Sequence, residues 1–279
     1  MKLLFIIFLI VFLVLTLFTT LYIQSITPFR IAQVVDAQSN CSNSFISSSK
    51  GGILNDNWCK TYKEGFHEDR PPLIHKIDAI YYINLKKRED RKQQFLDNFS
   101  YIDESKINRI NAHYYPDNGA VGCLMSHISA LNKALQDNKG ENILICEDDL
   151  HIKDMGYCNK MLDLLFQNIQ DWDVVMLGQN TIESVDTGLY GNNGKITRII
   201  NSQTASGYLI KYKYIPRLLK IYENDMIKYL RTGEWGNYYV DQSWKVLQPK
   251  DKWYSFSPTV AVQRPSFSDI QKGFINIEV

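Results

Sequence analysis

Residues 142–149 read Asn-Ile-Leu-Ile-Cys-Glu-Asp-Asp, and this stretch is the most informative part of the sequence. Its first five residues, Asn142–Cys146, form a short apolar run of the kind found in strands buried within a sheet. Glu147, Asp148 and Asp149 follow without a break. Adjacent carboxylates repel one another, and a divalent cation with oxygen ligands relieves that repulsion. A solvated acidic loop is the alternative, but the position at the end of a buried strand favours a metal site.

Outward from this strand, apolar runs of strand length alternate with segments of helical periodicity. The predicted strands are Ile77–Leu85, Lys106–Ile110, Asn142–Cys146, Asp173–Leu177, Ile196–Ile200 and Ala205–Ile210. The predicted helices are Glu89–Phe99, Ala120–Asp137, Met155–Ile169, Ile215–Leu230 and Tyr239–Leu247, and residues 178–194 are predicted to be a loop rich in Gly and Asn. This alternation predicts an α/β domain with a mostly parallel sheet covered on both faces. Ligands of such sheets bind beyond the carboxyl ends of the strands.

The first 75 residues differ in character from the rest. From Leu3 to Ile23 no residue is charged and 18 of the 21 are apolar, so a helix of this length crosses a bilayer core of ~30 Å. A cleaved signal peptide is the alternative, but its best cleavage site, at Val35-x-Ala37, lies well past the apolar run. We therefore predict a transmembrane signal-anchor over residues 1–25, a Ser-, Asn- and Gly-rich stem over residues 26–75, and the main domain over residues 76–279.

The single apolar run predicts a single-pass membrane protein whose main domain follows the anchor, and the flanking charges bear on its orientation. Lys2 precedes the apolar run and Arg30 follows it, so the positive-inside rule only slightly favours a lumenal main domain. In an oxidising lumen, Cys41 and Cys59 form a disulfide or remain two free thiols. Asn40-Cys41-Ser42 and Asn98-Phe99-Ser100 match the N-glycosylation pattern, which matters only in that compartment.

The overall composition excludes some classes of protein. The 31 Lys and Arg residues nearly balance the 30 Asp and Glu residues, and the net charge of +1 argues against a nucleic-acid partner. The five cysteines are scattered and lack the paired spacing of a structural zinc site.

Two further segments lie where predicted strands meet predicted helices. In residues 83–91, Arg88 and Arg91 stand at the start of a helix, where a guanidinium and the helix N-terminus both favour phosphate oxygens. A solvated first helical turn is the alternative. In residues 119–127, two glycines open a helix that carries Ser126 and His127. A hydrogen-bonded structural histidine is the alternative to a ligand here.

Taken in order, these segments resemble glycosyltransferase family 25. Residues 83–91 (INLKKREDR), residues 119–127 (GAVGCLMSH) and the strand that ends in EDD are followed by three later matches. Those matches are Ala205–Ile210, Val240-Asp241-Gln242, and Pro258–Gln263 with Ser268-Asp269-Ile270. The resemblance runs from Ile77 to about Ile270, and the family includes bacterial lipooligosaccharide galactosyltransferases and procollagen galactosyltransferases.

The resemblance implies a GT-A-type, Rossmann-like catalytic domain that transfers a hexose from a UDP-sugar. It implies galactose or glucose as the sugar, Mn²⁺ or another divalent cation as the cofactor, and a glycan, lipooligosaccharide or hydroxylysine-type acceptor. The donor-nucleotide residues that it implies are Asn84, Arg88, Arg91, Ser126 and His127. The metal ligands are Glu147 and Asp149, and the catalytic residues are Asp148, beside the donor sugar, and Asp241. Gln263 and Asp269 are acceptor-side or secondary residues.

The sequence leaves alternatives open for the role of Asp241 and for the class of protein. Asp241 opens a predicted helix, so an N-terminal helix cap is the alternative to a catalytic base. A membrane-anchored, non-catalytic protein that binds a sugar or nucleotide with the same fold is the alternative to an enzyme. A metal-dependent phosphoesterase is less favoured, because none of the five histidines forms a spaced pair.

Overall fold

A six-stranded sheet with helices on both faces forms the centre of the described chain. The computed structural model describes residues 76–191, 193–234, 238–268 and 273–275. Its strands are β1 Ala79–Asn84, β2 Ile107–Asn111, β3 Asn142–Glu147, β4 Leu150–Ile152, β5 Val174–Gly191, β6 Gly194–Lys211, β7 Trp253–Ser257, β8 Ala261–Gln263, β9 Ser266–Ser268 and β10 Gly273–Ile275. Its α-helices are α1 Glu89–Asn98, α2 Gly119–Asp137, α3 Met155–Asn168, α4 Ile215–Thr232 and α5 Val240–Ser243.

The main sheet is mixed, which corrects the prediction of a mostly parallel sheet. The strand order is β2-β1-β3-β6-β5-β7, and β6 runs antiparallel to each of its neighbours β3, β5 and β7. The remaining pairs, β1 with β2, β1 with β3 and β5 with β7, are parallel. β5 ends at Gly191 and β6 begins at Gly194, so the connection is far too short for the crossover that a parallel pair requires.

The long β5–β6 hairpin also replaces the predicted loop at residues 178–194. The two strands predicted over residues 196–210 are one continuous strand, β6. Beyond Gln179 most side chains of β5 are half-buried or exposed, with only short buried stretches left in the facing part of β6. Without a consistently buried face there is no apolar alternation to read in the sequence.

Each face of the main sheet has its own apolar core. On one face, Leu124 of α2 and Leu218 of α4 pack with Tyr81 of β1. On the other face, Phe95 of α1 and Leu162 of α3 pack in a separate cluster with strand side chains such as Ile80 and Leu144. Coverage of both faces therefore agrees with the prediction.

Leu150, in the short strand β4, fixes the acidic turn to the main sheet. β4 pairs with β8, and its fully buried Leu150 packs against two glycines, Gly178 of β5 and Gly207 of β6. A Cβ atom at Gly207 would lie 2.5 Å from Leu150 Cδ2, so only glycine leaves room for this side chain. Asp148 and Asp149 lie in the turn just before Leu150, and this packing therefore sets their height above the sheet.

Several predicted features of the chain take a different form or lie elsewhere. The anchor, the stem and the Cys41–Cys59 pair fall outside the described residues, as does Asp269. Over the described ranges, no helix is both long and apolar enough to cross a membrane. Asn98 is buried and donates a hydrogen bond to the carbonyl of Leu150, so the folded domain leaves this sequon no room for a glycan.

We predict that Leu150→Ala lowers the free energy of unfolding by about 2–5 kcal/mol, because it removes buried methyl groups over two glycines that cannot fill the space. Urea denaturation measures the change. Val246→Ala is the control, since Val246 is 53% exposed and its truncation is expected to change stability by less than about 0.5 kcal/mol. Equal losses for the two variants would contradict the role given to Leu150.

Candidate active site

A cavity of about 720 Å³ opens where β1 and β3 end, and we call it the central cavity. Its size is within the range of about 300–1,000 Å³ that is usual for small-molecule sites. Its wall includes eight of the predicted site residues, namely Arg88, Arg91, Ser126, Glu147, Asp148, Asp149, Asp241 and Gln263. The structure thus brings together segments that are as much as 175 positions apart in the sequence (263 − 88).

Two buried carboxylates share one guanidinium at this cavity. Asp148 is 5% exposed and Asp149 is 4% exposed. Nη1 of Arg91 donates to Oδ1 of Asp148 at 2.9 Å and to Oδ2 of Asp149 at 3.3 Å. Arg91 lies in the first turn of α1, so the helix that follows β1 delivers the positive charge to the turn that follows β3.

Neutral donors add further hydrogen bonds to the two carboxylates. Asn84 Nδ2 donates to Asp148 Oδ2 at 2.6 Å, and the Asn84 oxygen in turn accepts from Arg109 Nε at 3.0 Å. Gln263 Nε2 donates to Asp149 Oδ2 at 3.0 Å. Among the described residues, the buried Oδ1 of Asp149 has no hydrogen-bond partner. That oxygen is a free ligand atom for a cation.

The pKa values of Asp148 and Asp149 are raised because the two carboxyls are buried close to other negative charges. Burial, together with the charges of Glu147 and Asp148, raises the pKa of Asp149 to about 7, although Arg91 and Gln263 oppose the shift. Burial also raises the pKa of Asp148 against the effect of Arg91. Arg91 and the nearby Arg264 thus do not offset the burial and mutual repulsion of these carboxyls, and the donor set fits a hard divalent cation.

Glu147, the third carboxylate, faces α2 rather than Arg91. His127 Nε2 and Cys123 Sγ lie 3.4 Å and 3.5 Å from Glu147 Oε1. Burial alone would raise the pKa of Glu147, but the contacts with His127 and Cys123 hold it below its ordinary value. Burial and the Glu147 charge raise the pKa of the Cys123 thiol well above its usual range, so this side chain donates to the carboxylate.

Three of the residues predicted to bind the nucleotide serve mainly to hold other groups. Asn84 and His127 are fully buried behind Asp148 and Glu147 and are not part of the cavity wall. Ser126 is in the wall, but its hydroxyl donates to the Gly122 carbonyl at 2.6 Å and accepts from the His113 N–H at 2.8 Å. It therefore ties the loop after β2 to α2.

Arg88 lies in the cavity wall and forms a two-pronged ion pair with Asp90. Its Nε and Nη2 donate to the two oxygens of Asp90 at 2.9 Å and 2.8 Å, and Asp90 is largely exposed. The solvated-helix alternative thus fits Arg88 in part, whereas the side chain of Arg91 is only 12% exposed and pairs with the acidic turn.

Asp241 lies in the cavity wall and does not cap α5. The residue preceding that helix is Tyr239, and no side chain caps the helix. Oδ2 of Asp241 instead accepts from the backbone N–H of Thr204 at 3.0 Å, and Oδ1 accepts from Gln242 Nε2 at 3.2 Å. Thr204 has a φ of +74°, a strained conformation for a β-branched residue, and Asp241 satisfies its N–H there. The helix-cap alternative is therefore wrong.

Sequence reasoning missed the aromatic rim formed by Tyr114 and Tyr115. Both line the central cavity, and they are 63% and 40% exposed. Lys87 Nζ lies 4.6 Å from the centre of the Tyr114 ring. The signal was available, because the two tyrosines lie in the loop that follows β2, three and four residues after its end at Asn111.

Comparisons with known proteins agree on one family. A family profile described as glycosyltransferase family 25 (LPS biosynthesis protein) matches residues 103–244. A "Glycosyltransferase 25 family member" of Aedes aegypti is 21% identical over 234 residues, which are 71% of this chain and 38% of that protein. Procollagen galactosyltransferase 2 of Homo sapiens is 23% identical over 135 residues, which are 38% of this chain and 21% of that protein. The chain thus spans well under half the length of these relatives.

Among solved structures, similarity extends to a glycosyltransferase involved in the glycosylation of the major capsid of PBCV-1. The two chains are 7% identical with a TM-score of 0.38, over 63% of this chain and 80% of the other.

We predict that Asp149 makes stability depend on pH in a chelator-containing buffer. Its pKa is raised in the folded chain, so its contribution to stability is largest below the ordinary pKa and is lost as pH rises through about 7. Relative to Asp149→Asn, the wild type is expected to lose about 2 kcal/mol of unfolding free energy between about pH 5 and about pH 8.

Urea titrations at a series of pH values measure this difference. Asp186→Asn is the control. Hydrogen bonds from Lys195 and Tyr190 lower the pKa of this exposed carboxyl to about 2, so it does not titrate over the pH range of the experiment. The raised pKa of Asp149 would be contradicted if the unfolding free energies of the wild type and of Asp149→Asn changed equally between about pH 5 and about pH 8.

Proposed function

This chain belongs to glycosyltransferase family 25, whose profile matches residues 103–244, and we propose that it transfers a hexose from a UDP-sugar to an acceptor hydroxyl in a metal-dependent reaction. The observation that carries the proposal is the buried Asp148–Asp149 pair, which shares the guanidinium of Arg91 beside a cavity of nucleotide-sugar size. In this proposal the domain is of the GT-A type.

Glu147 and Asp149 would hold the divalent cation, which we propose to be Mn²⁺. The support is the unpartnered, buried Oδ1 of Asp149 among the described residues, together with the excess of carboxylate charge. When bound, such a cation supplies positive charge beside the diphosphate and stabilises the leaving group. Asp148, whose two oxygens accept from Asn84 and Arg91, is the proposed hydrogen-bond acceptor for the donor sugar.

Arg88 and Arg91 are the proposed contacts for the diphosphate. Both line the central cavity at the start of α1, where the helix N-terminus adds positive potential. The pair between Arg88 and Asp90 is exposed on the Asp90 side, so an arriving phosphate exchanges with a carboxylate that water readily solvates. Asn84 and His127 act in this proposal by positioning Asp148 and Glu147.

Asp241 is the proposed general base. In a direct displacement, the acceptor oxygen forms a bond to the anomeric carbon, the bond from that carbon to the UDP oxygen breaks, and the acceptor proton passes to Asp241. The Thr204 N–H and Gln242 hold the Asp241 carboxylate in the cavity wall. An accepting group fixed by two donors needs little reorganisation as the proton transfers.

The acceptor is proposed from the relatives rather than from the site. One matched relative is called a procollagen galactosyltransferase, and the family is described as an LPS biosynthesis family. We propose galactose or glucose as the sugar and a glycan, lipooligosaccharide or hydroxylysine-type acceptor. Gln263 supports this site through Asp149, and roles for Asp269, for the membrane anchor and for lumenal placement remain predictions.

A panel of UDP-sugars tests the proposal through UDP release with Mn²⁺, with EDTA as the paired control. UDP-galactose or UDP-glucose is expected to respond, and Asp149→Ala is expected to abolish the response while the circular dichroism spectrum is unchanged. Phosphate release from monoesters without UDP release would favour the phosphoesterase. No turnover of any donor in the presence of any acceptor class would favour a binding protein.

We predict that Asp241→Asn lowers kcat for transfer by at least about 10²-fold, because an amide cannot take the acceptor proton. The side-chain oxygen of Asn still accepts from the Thr204 N–H, so UDP affinity and Tm are expected to change little. Steady-state kinetics, calorimetry with UDP and thermal melting measure the three quantities.

Asp241→Ala is the matched control for this prediction. It is expected to be as inactive as Asp241→Asn but also less stable by about 1–3 kcal/mol, since it leaves the Thr204 N–H without a partner. Near-normal transfer by Asp241→Asn would remove Asp241 as the base.

A further inference from the structure

The side chains of Cys123, His127 and Glu147 converge beside the central cavity, and their ligand atoms all lie within 4.8 Å of one another. We infer that these three residues form a second metal site, one for a thiophilic divalent cation of the zinc type. The site shares Glu147 with the proposed Mn²⁺ site and differs from it in its other ligands, which come from α2 rather than from the acidic turn.

The local fold places the three ligands. Cys123 and His127 are four positions apart on α2, so they lie on the same face of the helix one turn apart. Glu147 is the last residue of β3 and points at that face. Two elements that pack against each other therefore supply the set.

The distances match those of a tetrahedral zinc site. Zinc bonds of ~2.3 Å to sulfur, ~2.05 Å to nitrogen and ~2.1 Å to oxygen put sulfur and oxygen about 3.6 Å apart and nitrogen and oxygen about 3.4 Å apart. Here Cys123 Sγ lies 3.5 Å from Glu147 Oε1, and His127 Nε2 lies 3.4 Å from the same oxygen. The third distance, from Cys123 Sγ to the His127 ring nitrogen, is no more than 4.8 Å, so small side-chain rotations are enough to close the set on a cation.

The surroundings of His127 also suit a ligand. Its Nδ1 lies 3.2 Å from the hydroxyl of Tyr208, whose ring is nearly parallel to the imidazole with 5.9 Å between the ring centres. A histidine that donates from Nδ1 presents the lone pair of Nε2 to a metal, and such an outer partner fixes the ring. Both His127 and Tyr208 are fully buried, so the ring has little freedom to turn away.

The chemistry of the donors selects the cation. A thiolate and an imidazole favour Zn²⁺ or Co²⁺, whereas Mn²⁺ and Mg²⁺ favour oxygen alone. Binding displaces the Cys123 proton to solvent, and the thiolate, the Glu147 carboxylate and a neutral His127 then balance the charge of the cation. Cys123 and Glu147 both line the central cavity, which gives the cation its path of entry.

Titration of the metal-free, full-length chain with Co²⁺ tests the site, in a buffer with a reductant that lacks thiols. We expect one equivalent of Co²⁺ to bind the wild type with a thiolate-to-cobalt charge-transfer band and the visible bands of a tetrahedral complex, all of which Zn²⁺ removes; Co²⁺ bound at the acidic turn by oxygen ligands gives no such charge-transfer band. Zn²⁺ is also expected to raise Tm, because only the folded chain assembles the ligands.

Variants identify the ligands in the same titration. Cys123→Ser is expected to lose the charge-transfer band, and His127→Gln is expected to weaken Co²⁺ binding by at least about tenfold. Cys158→Ser is the matched control, since Cys158 is a buried cysteine of α3 outside the cluster. Asp149→Asn is expected to keep the band, which separates this site from the Mn²⁺ site.

Two outcomes would overturn the inference. One is a wild type without a charge-transfer band. The other is a band that survives in Cys123→Ser, which would assign the thiolate to another cysteine, such as Cys41 or Cys59. Circular dichroism of each variant confirms that the comparison is between folded proteins.

Discussion

The guanidinium of Arg91 lies between two buried carboxylates, and the rest of the site depends on this interaction. A buried carboxylate without a partner is too costly in free energy to stay charged, so its oxygens require hydrogen-bond donors or a cation. Asn84 from β1, Gln263 from β8 and Arg91 from α1 meet this need from separate elements. The cluster therefore joins β1, β8 and α1 to the acidic turn. It leaves one oxygen of Asp149 unpaired among the described residues.

The fold supports that cluster by placing a rigid floor beneath it. β1 and β3 are parallel neighbours, so their carboxyl ends lie side by side and bring Asn84 close to the acidic turn. Leu150 then packs on Gly178 and Gly207 and holds the turn from the other end. Asp241 reaches the cavity from α5 through its bond to Thr204, in the antiparallel strand β6. The strand that breaks the parallel pattern thus carries the backbone that fixes the proposed base.

Much of this arrangement could be predicted from local sequence, because β1 and β3 are continuous apolar runs and the long helices have apolar residues at helical spacing. The predicted helix Ala120–Asp137 differs from α2 by one residue at its start, and the predicted strand Asn142–Cys146 differs from β3 by one residue at its end. The β5–β6 hairpin escaped prediction because most of its outer residues lack a consistently buried face. Partners across long separations also escaped: Asn84 bonds to a residue 64 positions away, and Asp241 to one 37 positions away. No spacing rule reports such contacts, so the supporting roles of Asn84 and His127 emerged only in three dimensions.

A divalent cation and the acidic turn are proposed to act together in binding a nucleoside diphosphate. Calorimetric titration with UDP, in Mn²⁺ and again in EDTA, measures this cooperation. Removing the cation is expected to weaken UDP binding by at least about tenfold, which is a loss of about 1.4 kcal/mol. Asp149→Asn is expected to remove the difference between the two conditions. Equal UDP affinity of the wild type in Mn²⁺ and in EDTA would show that the cation has no part in nucleotide binding.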